Sequence, residues 1–302
     1  MTAMSASWTV IGAPVDSAAE SDGEVLAPAA LRAAGLLERL AARDSGDVGA
    51  RLRDRRRDPQ TGVMAIDDLV LFSEELRVRT ADVVALGERP LVIGGDCSLL
   101  IGVFAGLRDA GVRPGLWFID GHADFYDGGS SPSGEAADME LAILTGHGPD
   151  SLTRLAGDVP LIDPRSVVIL GHRPESLGAD VAEELGFVPD AIERVDAPTI
   201  MERGGAAVGD DAAERLSHLD SVWLHVDLDV LDSGVFPAVS YPQEAGIDWD
   251  QLIAMVERLL DSRPPLGVSI ADLNPGRDAD GRLASEVVDR VGPTLARGGG
   301  QR

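Results

Sequence analysis

The stretch "PLVIGGDCSLLIGVFAGLRDAGVRPGLWFIDGHAD" (residues 90–124) decides the fold. Two apolar runs, 90–94 and 116–120, enclose a segment that predicts a helix over 99–109. Apolar runs without alternation are typical of strands that are buried on both faces of a parallel sheet. The stretch therefore predicts a β–α–β unit in which an acidic residue follows the end of each strand.

The same alternation recurs along the chain. Further strands are predicted over Trp8–Pro14, Ser166–Leu170, Val222–Asp227 and Gly267–Ala271. Further helices are predicted over Ala27–Leu40, Glu74–Leu86, Glu140–Leu144, Ala179–Leu185, Asp210–Leu219, Asp250–Asp261 and Ala284–Val291. This order predicts an α/β fold with a parallel sheet. Two polar segments, Ala42–Gly62 and Tyr126–Asp138, are predicted to be loops. We expect one domain over residues 1–302, with a disordered tail from about residue 295.

The composition indicates a globular protein from a reducing compartment. A hydrophobic content of 44% in 302 residues suits a folded domain, and the single cysteine, Cys97, rules out an internal disulfide. The first residues contain no signal-peptide pattern, and no apolar run approaches the roughly 18 residues of a membrane span. We therefore expect a cytoplasmic protein.

The net charge of the chain argues against two classes of binding partner. The chain carries a net charge of −25, and all its basic side chains other than histidine are arginines. Nucleic acids and anionic membranes would be repelled by this charge, so neither is an expected partner. The acidity serves either solubility or the recruitment of a cationic small molecule.

Acidic residues follow four of the predicted strands. In open α/β sheets, ligands bind at the carboxyl ends of the strands. In extended chain, residues two apart point to the same side, so the motifs "DGHAD" and "DLDVLD" can each direct several donors together. The donors predicted to share one edge of the sheet are Asp96, Cys97, Asp120, His122, Asp124, Asp227, Asp229 and Asp272.

Carboxylates in this number need cations among them. Carboxylate with imidazole suits Mn²⁺ or another borderline divalent ion, and the number of donors suits two ions that share ligands. Each motif also has a structural interpretation. "DGHAD" alone can be an Asx turn, and Asp96 or Ser98 can cap the following helix.

Four motifs together resemble the arginase–agmatinase family, the ureohydrolases. The family motifs "GGDHS", "DAHxD", "SxDxDxxDP" and a late "E-V-N-P" correspond here to "GGDCS" (94–98), "DGHAD" (120–124), "HVDLDVLDS" (225–233) and "DLNP" (272–275). The segment 27–40, "APAALRAAGLLERL", is similar to the family's "GPxxLRxAGL". The resemblance covers almost the whole chain.

The resemblance implies a single α/β/α domain with about eight strands, a homotrimer or homohexamer, and two Mn²⁺ ions bridged by hydroxide. It places Cys97, Asp120, Asp124 and Asp227 around one ion, and Asp120, His122, Asp227 and Asp229 around the other. It also implies attack of metal-bound hydroxide on a guanidinium carbon. Asp229 would pass a proton to the departing amine, and Asp272 would pair with the guanidinium. Tyr126 and Ser133 are substrate-binding candidates by position.

The sequence departs from the family at several of these positions. Cys97 replaces a ligand histidine, and thiolate favours zinc, iron or cobalt over manganese. Ala137 stands where arginases carry a proton-shuttle histidine, and Tyr241 replaces a small threonine. Asp272 is shorter than the family's glutamate. The possible replacements for the missing groups are His147, Glu135 and Asp138 for the shuttle and Glu175 for an acid that binds an α-amino group.

The sequence is compatible with two functions. The first is a metal-dependent hydrolase that cleaves a C–N bond of a guanidino, N-hydroxyguanidino, ureido or formimino compound, with one or two divalent ions, foremost Mn²⁺. The second is a catalytically impaired member with a metal-binding or assembly role. The retained carboxylates favour the enzyme, because each would be costly without its cation. A dinucleotide-binding fold is excluded, because "GGDCS" lacks the G-x-G-x-x-G spacing.

Overall fold

A parallel sheet forms the centre of the molecule. The computed structural model describes residues 7–298. Within them eight strands pair in the order β2-β1-β3-β8-β7-β4-β5-β6, and every pair is parallel. The strands are β1 (Trp8–Gly12), β2 (Arg43–Asp47), β3 (Arg89–Ile93), β4 (Gly115–Ile119), β5 (Val167–His172), β6 (Glu193–Asp196), β7 (Val222–Asp227) and β8 (Gly267–Ala271). The α/β prediction is confirmed.

Helices cover both faces of the sheet. They are α1 (Ala27–Ala33), α2 (Leu36–Leu40), α3 (Ile66–Ala85), α4 (Leu99–Asp109), α5 (Glu140–Leu144), α6 (Asp150–Thr153), α7 (Ala179–Phe187), α8 (Ala197–Arg203), α9 (Gly205–Arg215), α10 (Trp249–Ser262) and α11 (Arg282–Gly298). α3 to α7 pack on one face, and α1, α2 and α8 to α11 pack on the other. None of these helices has both the length and the apolar character needed to cross a bilayer.

The buried strands match the prediction, and the two edge strands were missed. Every residue of β3 is buried, with Val92 on one face and Leu91 and Ile93 on the other. β2, with the sequence "RDSGD", lies in a segment that was predicted to be a loop, and β6 reads "ERVD". Edge strands expose part of their surface and are held by backbone pairing, so they carry no continuous apolar run.

Several helix boundaries also differ from the prediction. α3 begins two turns before Glu74, and the predicted helix over 27–40 is divided at Gly35, where φ is +89°. α9 occupies residues 205–215 rather than 210–219, while α6 and α8 were not predicted. The disordered tail predicted from about residue 295 is wrong for its first part. α11 continues to Gly298 because Leu295 is buried in the core; residues 299–302 lie outside the described part.

A glycine pair turns the chain from β3 toward α4. Gly94 and Gly95 both have positive φ, +89° and +71°. A Cβ on Gly95 would lie 2.4 Å from the carbonyl oxygen of Ala13, so no other residue fits without movement of the backbone. The Gly95 carbonyl accepts a 2.9 Å hydrogen bond from the amide of Asp272. The turn thereby fixes Cys97 next to the end of β8.

Candidate metal centre and substrate cavity

The carboxyl ends of four adjacent strands form the floor of one cavity. β3, β8, β7 and β4 are neighbours in the sheet, and each is followed by one of the predicted site residues. The cavity above them has a volume of about 680 Å³. Twelve acidic side chains and two arginines line it. This excess of carboxylates would attract cations, either metal ions or a cationic substrate.

Four side chains form a compact set of donors at the bottom of the cavity, which we call the inner group: Cys97, Asp120, His225 and Asp227. One donor atom from each lies within 4.8 Å of the others, and all four residues are buried. The sulfur of Cys97 lies 2.6 Å from Oδ2 of Asp227, 3.6 Å from Oδ2 of Asp120 and 3.1 Å from Nε2 of His225. The inner group therefore offers sulfur, nitrogen and oxygen donors together.

A second set, the outer group, consists of Asp120, His122 and Asp229. Nδ1 of His122 lies 2.8 Å from Oδ2 of Asp229 and 3.8 Å from Oδ1 of Asp120. His122 is 22% exposed, whereas both carboxylates are buried. Asp227 and Asp229 also meet Asp272 within 4.8 Å. Asp120 and Asp227 thus lie between neighbouring sets of donors, as ligands shared by two ions would.

The two acid motifs fold as Asx-type turns, in which one oxygen of the aspartate accepts a backbone hydrogen bond and the other oxygen faces the donor set. Oδ1 of Asp120 accepts a 2.7 Å hydrogen bond from the amide of His122, and Oδ1 of Asp227 accepts one of the same length from Asp229. In both residues Oδ2 remains directed at Cys97. The turn interpretation and the metal-site interpretation of these motifs are therefore compatible.

Asp124 and Glu140 add a buried carboxyl pair beside the inner group. Their carboxylate oxygens lie within 4.8 Å of Cys97 and Asp120. Asp124 has a φ of +47°, a left-handed backbone that directs its side chain inward after the "DGHAD" turn. Glu140 is fully buried beside the carboxyl of Asp124, and no N–H or hydroxyl group of another described residue donates a hydrogen bond to its carboxylate oxygens. A buried carboxylate without a donor is expensive unless a cation lies beside it.

The electrostatics of the acids also indicate a site that requires cations. Burial, together with repulsion between neighbouring carboxylates, raises the pKa of Asp120, Asp124 and Asp227 well above its usual value. Burial and the nearby carboxylates of Asp227 and Asp120 raise the pKa of the Cys97 thiol in the same way. A divalent ion would stabilise the deprotonated form of all four groups.

Asp229 behaves differently from these neighbouring acids. Burial opposes its charge, but the contact with His122 and the nearby guanidinium of Arg173 lower its pKa to about 2. The same contact with Asp229 outweighs the effect of burial and raises the pKa of His122 to about 9. Asp229 is thus an ionised carboxylate over the whole physiological range.

His225 is an uncharged imidazole inside the sheet. It has no exposed surface, and burial lowers its pKa to about 3. Nδ1 lies 2.7 Å from Oγ of Ser269 on β8, and the ring stacks on Phe118 with centroids 5.2 Å apart. These contacts leave Nε2 directed at Cys97.

The donors present fit divalent metal ions. Carboxylate, imidazole and thiolate are the ligands of Mn²⁺-class and Zn²⁺-class ions in proteins, and all three converge here. The carboxylate oxygens of Glu140, and Oδ2 of Asp272, are buried polar atoms for which a cation would compensate.

Asp96 has a structural role in the loop before α4. Its carboxylate accepts hydrogen bonds from the amides of Ser17 and Ser98, at 2.5 Å and 3.0 Å. Ser98 precedes α4 but makes no side-chain cap hydrogen bond, so the capping role that its sequence position suggested is absent. Asp96 joins the loop after β1 to the loop that carries Cys97.

The four predicted substrate-binding residues all line the cavity. The Tyr126 hydroxyl donates to the carbonyl of Asp180, and the Ser133 hydroxyl donates to Asp138 at 2.7 Å. Tyr241 lies at the cavity mouth with 54% of its surface exposed. Asp272 is buried at the end of β8 and has a φ of +66°.

Glu24 supplies a second carboxyl next to Asp272, which the sequence did not predict. It is 4% exposed, and its side chain forms a hydrogen bond with that of Asp272. Burial and repulsion by Asp272 raise the pKa of Glu24 well above its usual value, and burial raises that of Asp272 to about 7. The shorter side chain at 272 is therefore accompanied by an additional carboxyl.

Of the residues considered as replacements for missing family groups, some line the cavity and others lie outside it. Glu135 and Asp138 line the cavity, as does Ala137. His147 is exposed and packs on Phe125, and it does not line the cavity. Glu175 is exposed and also lies outside the lining.

Three site residues were missed for recognisable reasons. His225 lies two residues before Asp227 in an apolar strand, and this spacing alone places both side chains on one side of β7. Glu140 has the sequence setting of an ordinary acid in the first turn of a helix. Glu24 lies in a polar segment before α1 and had no signal beyond its charge.

Comparison with known proteins identifies the family of this chain. The profile of the arginase family matches residues 6–292. An arginase of Brevibacillus brevis is 30% identical over 292 residues, which cover 94% of this chain and 96% of that protein. An arginase of Bacillus subtilis (strain 168) is 30% identical over 295 residues, covering 96% and 97%. A crystal structure of arginase from Bacillus subtilis has a TM-score of 0.84 at 28% identity and covers 98% of this chain and 99% of that chain. The chain therefore belongs to the arginase family, and it is a ureohydrolase acting on non-peptide C–N bonds.

Proposed function

We propose that this enzyme is a metal-dependent hydrolase that cleaves a C–N bond of a small cationic guanidino compound. The observation that carries the proposal is the convergence of the inner and outer groups on the floor of an acidic cavity. A protein that binds no cation here would have little reason to keep so many buried carboxylates, because each is destabilising without its cation.

We assign Asp120, His122, Asp227 and Asp229 to one ion, and Cys97, Asp120, Asp124 and Asp227 to the other. One or two divalent ions bind per chain, and Mn²⁺ is the foremost candidate for the outer group because its donors are carboxylate and imidazole. When bound, such ions neutralise the carboxylates and make water nucleophilic at neutral pH.

Asp272 and Glu24 form the proposed recognition site for the guanidinium. The pair is buried at the end of β8, within reach of the donor groups. Carboxylates accept charge-assisted hydrogen bonds from guanidinium N–H groups, and this pairing would hold the carbon atom above Asp229. N-hydroxyguanidino, ureido and formimino compounds present related N–H groups to the same pair.

Asp229 is the proposed proton carrier. Oδ2 lies 2.8 Å from Nδ1 of His122, and Oδ1 is fixed by a 3.0 Å hydrogen bond from the amide of Gly121. We expect Oδ2 to receive the proton of the attacking water and to deliver it to the departing amine nitrogen. Glu135, whose pKa burial raises to about 7, lines the same cavity and is available for proton exchange with solvent.

The charge and the family also suggest the location, the oligomeric state and the partners of the protein. We propose a cytoplasmic homo-oligomer, a trimer or a hexamer, whose partner is a small cationic substrate. Nucleic acid and anionic membranes are not proposed as partners, because a net charge of −25 repels both.

One experiment tests the proposal. The purified chain is freed of metal, reloaded with Mn²⁺ and analysed for bound metal, and then screened with guanidino and N-hydroxyguanidino compounds for release of urea or hydroxyurea. We expect at least one ion per chain and metal-dependent release from one compound class. A chain that stays metal-free after incubation would exclude the binuclear assignment. Bound metal without product from any compound would instead favour the metal-binding or assembly role.

A further inference from the structure

Cys97 and His225 contact each other across the inner group. Cys97 follows β3, His225 lies on β7, and β8 runs between these two strands. The sulfur is 3.1 Å from Nε2 of the imidazole. His225 is paired in register with Ser269 of β8, whose hydroxyl contacts Nδ1 and also accepts a 2.9 Å hydrogen bond from the indole of Trp223. The imidazole is thus held so that one nitrogen faces the donors.

Cys97 and His225 both differ from the residues of the family motifs, and the histidine stands in a different motif. "GGDHS" has histidine where this chain has Cys97, and "SxDxDxxDP" begins with a serine where this chain has His225. In the family motifs the histidine lies in the loop after β3, whereas in this chain the histidine lies on β7 and the loop carries a cysteine. The site has therefore kept an imidazole and has gained a thiol.

Glu140 provides independent support for a ligand at this position. Its carboxylate is fully buried, accepts no hydrogen bond from an N–H or hydroxyl group of another described residue, and lies within 4.8 Å of Cys97, Asp120 and Asp124. The inner group and Glu140 together surround a position at which a divalent cation would compensate several carboxylates at once.

We propose that Nε2 of His225 is a metal ligand, so that the inner group is a thiolate–imidazole–carboxylate site selective for a Zn²⁺-class ion. The outer group, without sulfur, remains the Mn²⁺-class site, and the centre holds two different ions. This inference rests on the proposed metal-dependent function and specifies one half of its metal centre. Ion binding releases the thiol proton to solvent, and Ser269 acts as the second partner that orients the ligating imidazole.

A nucleophilic Cys97–His225 pair is the competing chemistry. Reactive thiolates lie in electropositive surroundings, whereas Cys97 is surrounded by carboxylates. The orienting group on Nδ1 is a hydroxyl rather than a carboxylate, so it would stabilise an imidazolium poorly. The observations therefore favour ligation over nucleophilic catalysis.

Cobalt titration of the metal-free chain tests the ligand set. Co²⁺ is the probe because a thiolate ligand produces a charge-transfer absorption that carboxylates and imidazole do not. We expect this band in the wild type, and we expect His225→Ser to weaken Co²⁺ and Zn²⁺ binding at the band-forming site about tenfold or more. His147→Ser, at an exposed histidine outside the cavity, is the matched control and should leave both unchanged. An unaltered band and affinity in folded His225→Ser would overturn the proposal.

A measurement on the unmodified protein removes dependence on the variant's folding. X-ray absorption at the zinc edge of the zinc-loaded wild type should show both sulfur and imidazole nitrogen in the zinc shell. A shell of oxygen alone, or of sulfur without imidazole, would overturn the assignment. The double variant Cys97→His with His225→Ser restores the family pair. It should lose the cobalt–thiolate band and shift its preference from Zn²⁺ toward Mn²⁺.

Failure of the inference and failure of the proposed function give different results. A chain that binds no divalent ion contradicts the metal-dependent function itself. A chain that binds ions and cleaves substrate without sulfur or His225 in the shell contradicts only the ligand assignment. Cleavage by the metal-free chain, abolished by alkylation of Cys97, would establish nucleophilic catalysis instead.

Discussion

The Tyr241 hydroxyl donates a 2.9 Å hydrogen bond to Oε2 of Glu135 and so joins two loops across the mouth of the cavity. One loop follows "DGHAD" and the other follows the Asp227–Asp229 turn. Tyr241 occupies the position of a small threonine in the family motif. Its ring and its hydrogen bond therefore narrow the entrance and hold Glu135 in the lining.

Tyr241→Phe should weaken substrate binding modestly. The change removes one hydrogen bond, worth about 0.5–1.5 kcal/mol, but keeps the ring. We expect kcat/KM to fall about twofold to tenfold for the best substrate found in the screen. Tyr241→Thr also removes the ring and should relax selection among longer guanidino compounds. Equal relative rates for short and long compounds in wild type and Tyr241→Thr would show that the ring does not restrict the entrance.

Glu24→Gln should impair recognition of the cation. The variant keeps the shape of the side chain and removes the carboxyl that lies beside Asp272. A hydrogen bond to a charged group contributes about 1.5–3 kcal/mol, so kcat/KM should fall roughly tenfold to a hundredfold. Glu175→Gln changes an exposed glutamate outside the cavity and is the control. Identical kcat/KM values for both variants and the wild type would remove Glu24 from the recognition site.

The stability of the metal-free chain should fall as the pH rises from about 4.5 to about 7. Burial, aided by neighbouring acids, raises the pKa of Glu135 to about 7 and that of Asp16 to about 6. Because these values exceed those of the unfolded chain, the folded state binds protons more tightly and loses this advantage as the pH rises. We expect these two groups to contribute a loss on the order of 1–2 kcal/mol, reduced by partial exposure, in urea unfolding.

Glu135→Gln serves as the control for the pH profile. It removes one of the carboxyl groups whose pKa is raised and should reduce the decline, whereas the exposed-site variant Glu175→Gln should reproduce the wild-type profile. A metal-free wild type whose stability increases over this range would contradict the assignment.

Gly95→Ala should destabilise the fold more than Gly111→Ala. Both glycines have positive φ, +71° and +75°, so both variants place a side chain in a left-handed conformation that costs about 1–2 kcal/mol. Only at Gly95 would the new Cβ meet backbone, 2.4 Å from the Ala13 carbonyl oxygen, whereas Gly111 faces open space. We expect an additional cost of about 1–3 kcal/mol at Gly95 in urea unfolding. Equal losses would mean that the turn adapts without strain.

The parts of the fold predicted from the sequence are those in which burial determines composition. β3, β4 and β7 are largely apolar because helices cover both of their faces, and the acid at or after the end of each strand stands out against that background. β2 and β6 lack this contrast, because an edge strand needs only its backbone to pair.

Prediction of the site from the sequence likewise succeeded only for residues that are unusual in their local setting. Asp120 and Asp227 are recognisable because a charge at the end of a buried strand requires an explanation. His225, Glu140 and Glu24 each have an ordinary local setting: a strand interior, a first helical turn and a polar connection. Their proximity to the donors arises from pairings between distant segments, such as β7 with β8 and the segment before α1 with Asp272. For Glu140 and Glu24, the local sequence pattern gives no sign of that proximity.

The order of the strands also dictates when the site can be completed during synthesis. β8, the last strand to leave the ribosome, lies between β3 and β7. Until residues 267–271 emerge, the nascent chain holds two partial sheets, each with an unpaired edge where the other should join. Ser269 and Asp272 arrive with the closing strand, so the orienting partner of His225 and the acid at the cavity floor come last. A chain truncated before β8 would therefore display aggregation-prone edges in place of the completed cavity floor.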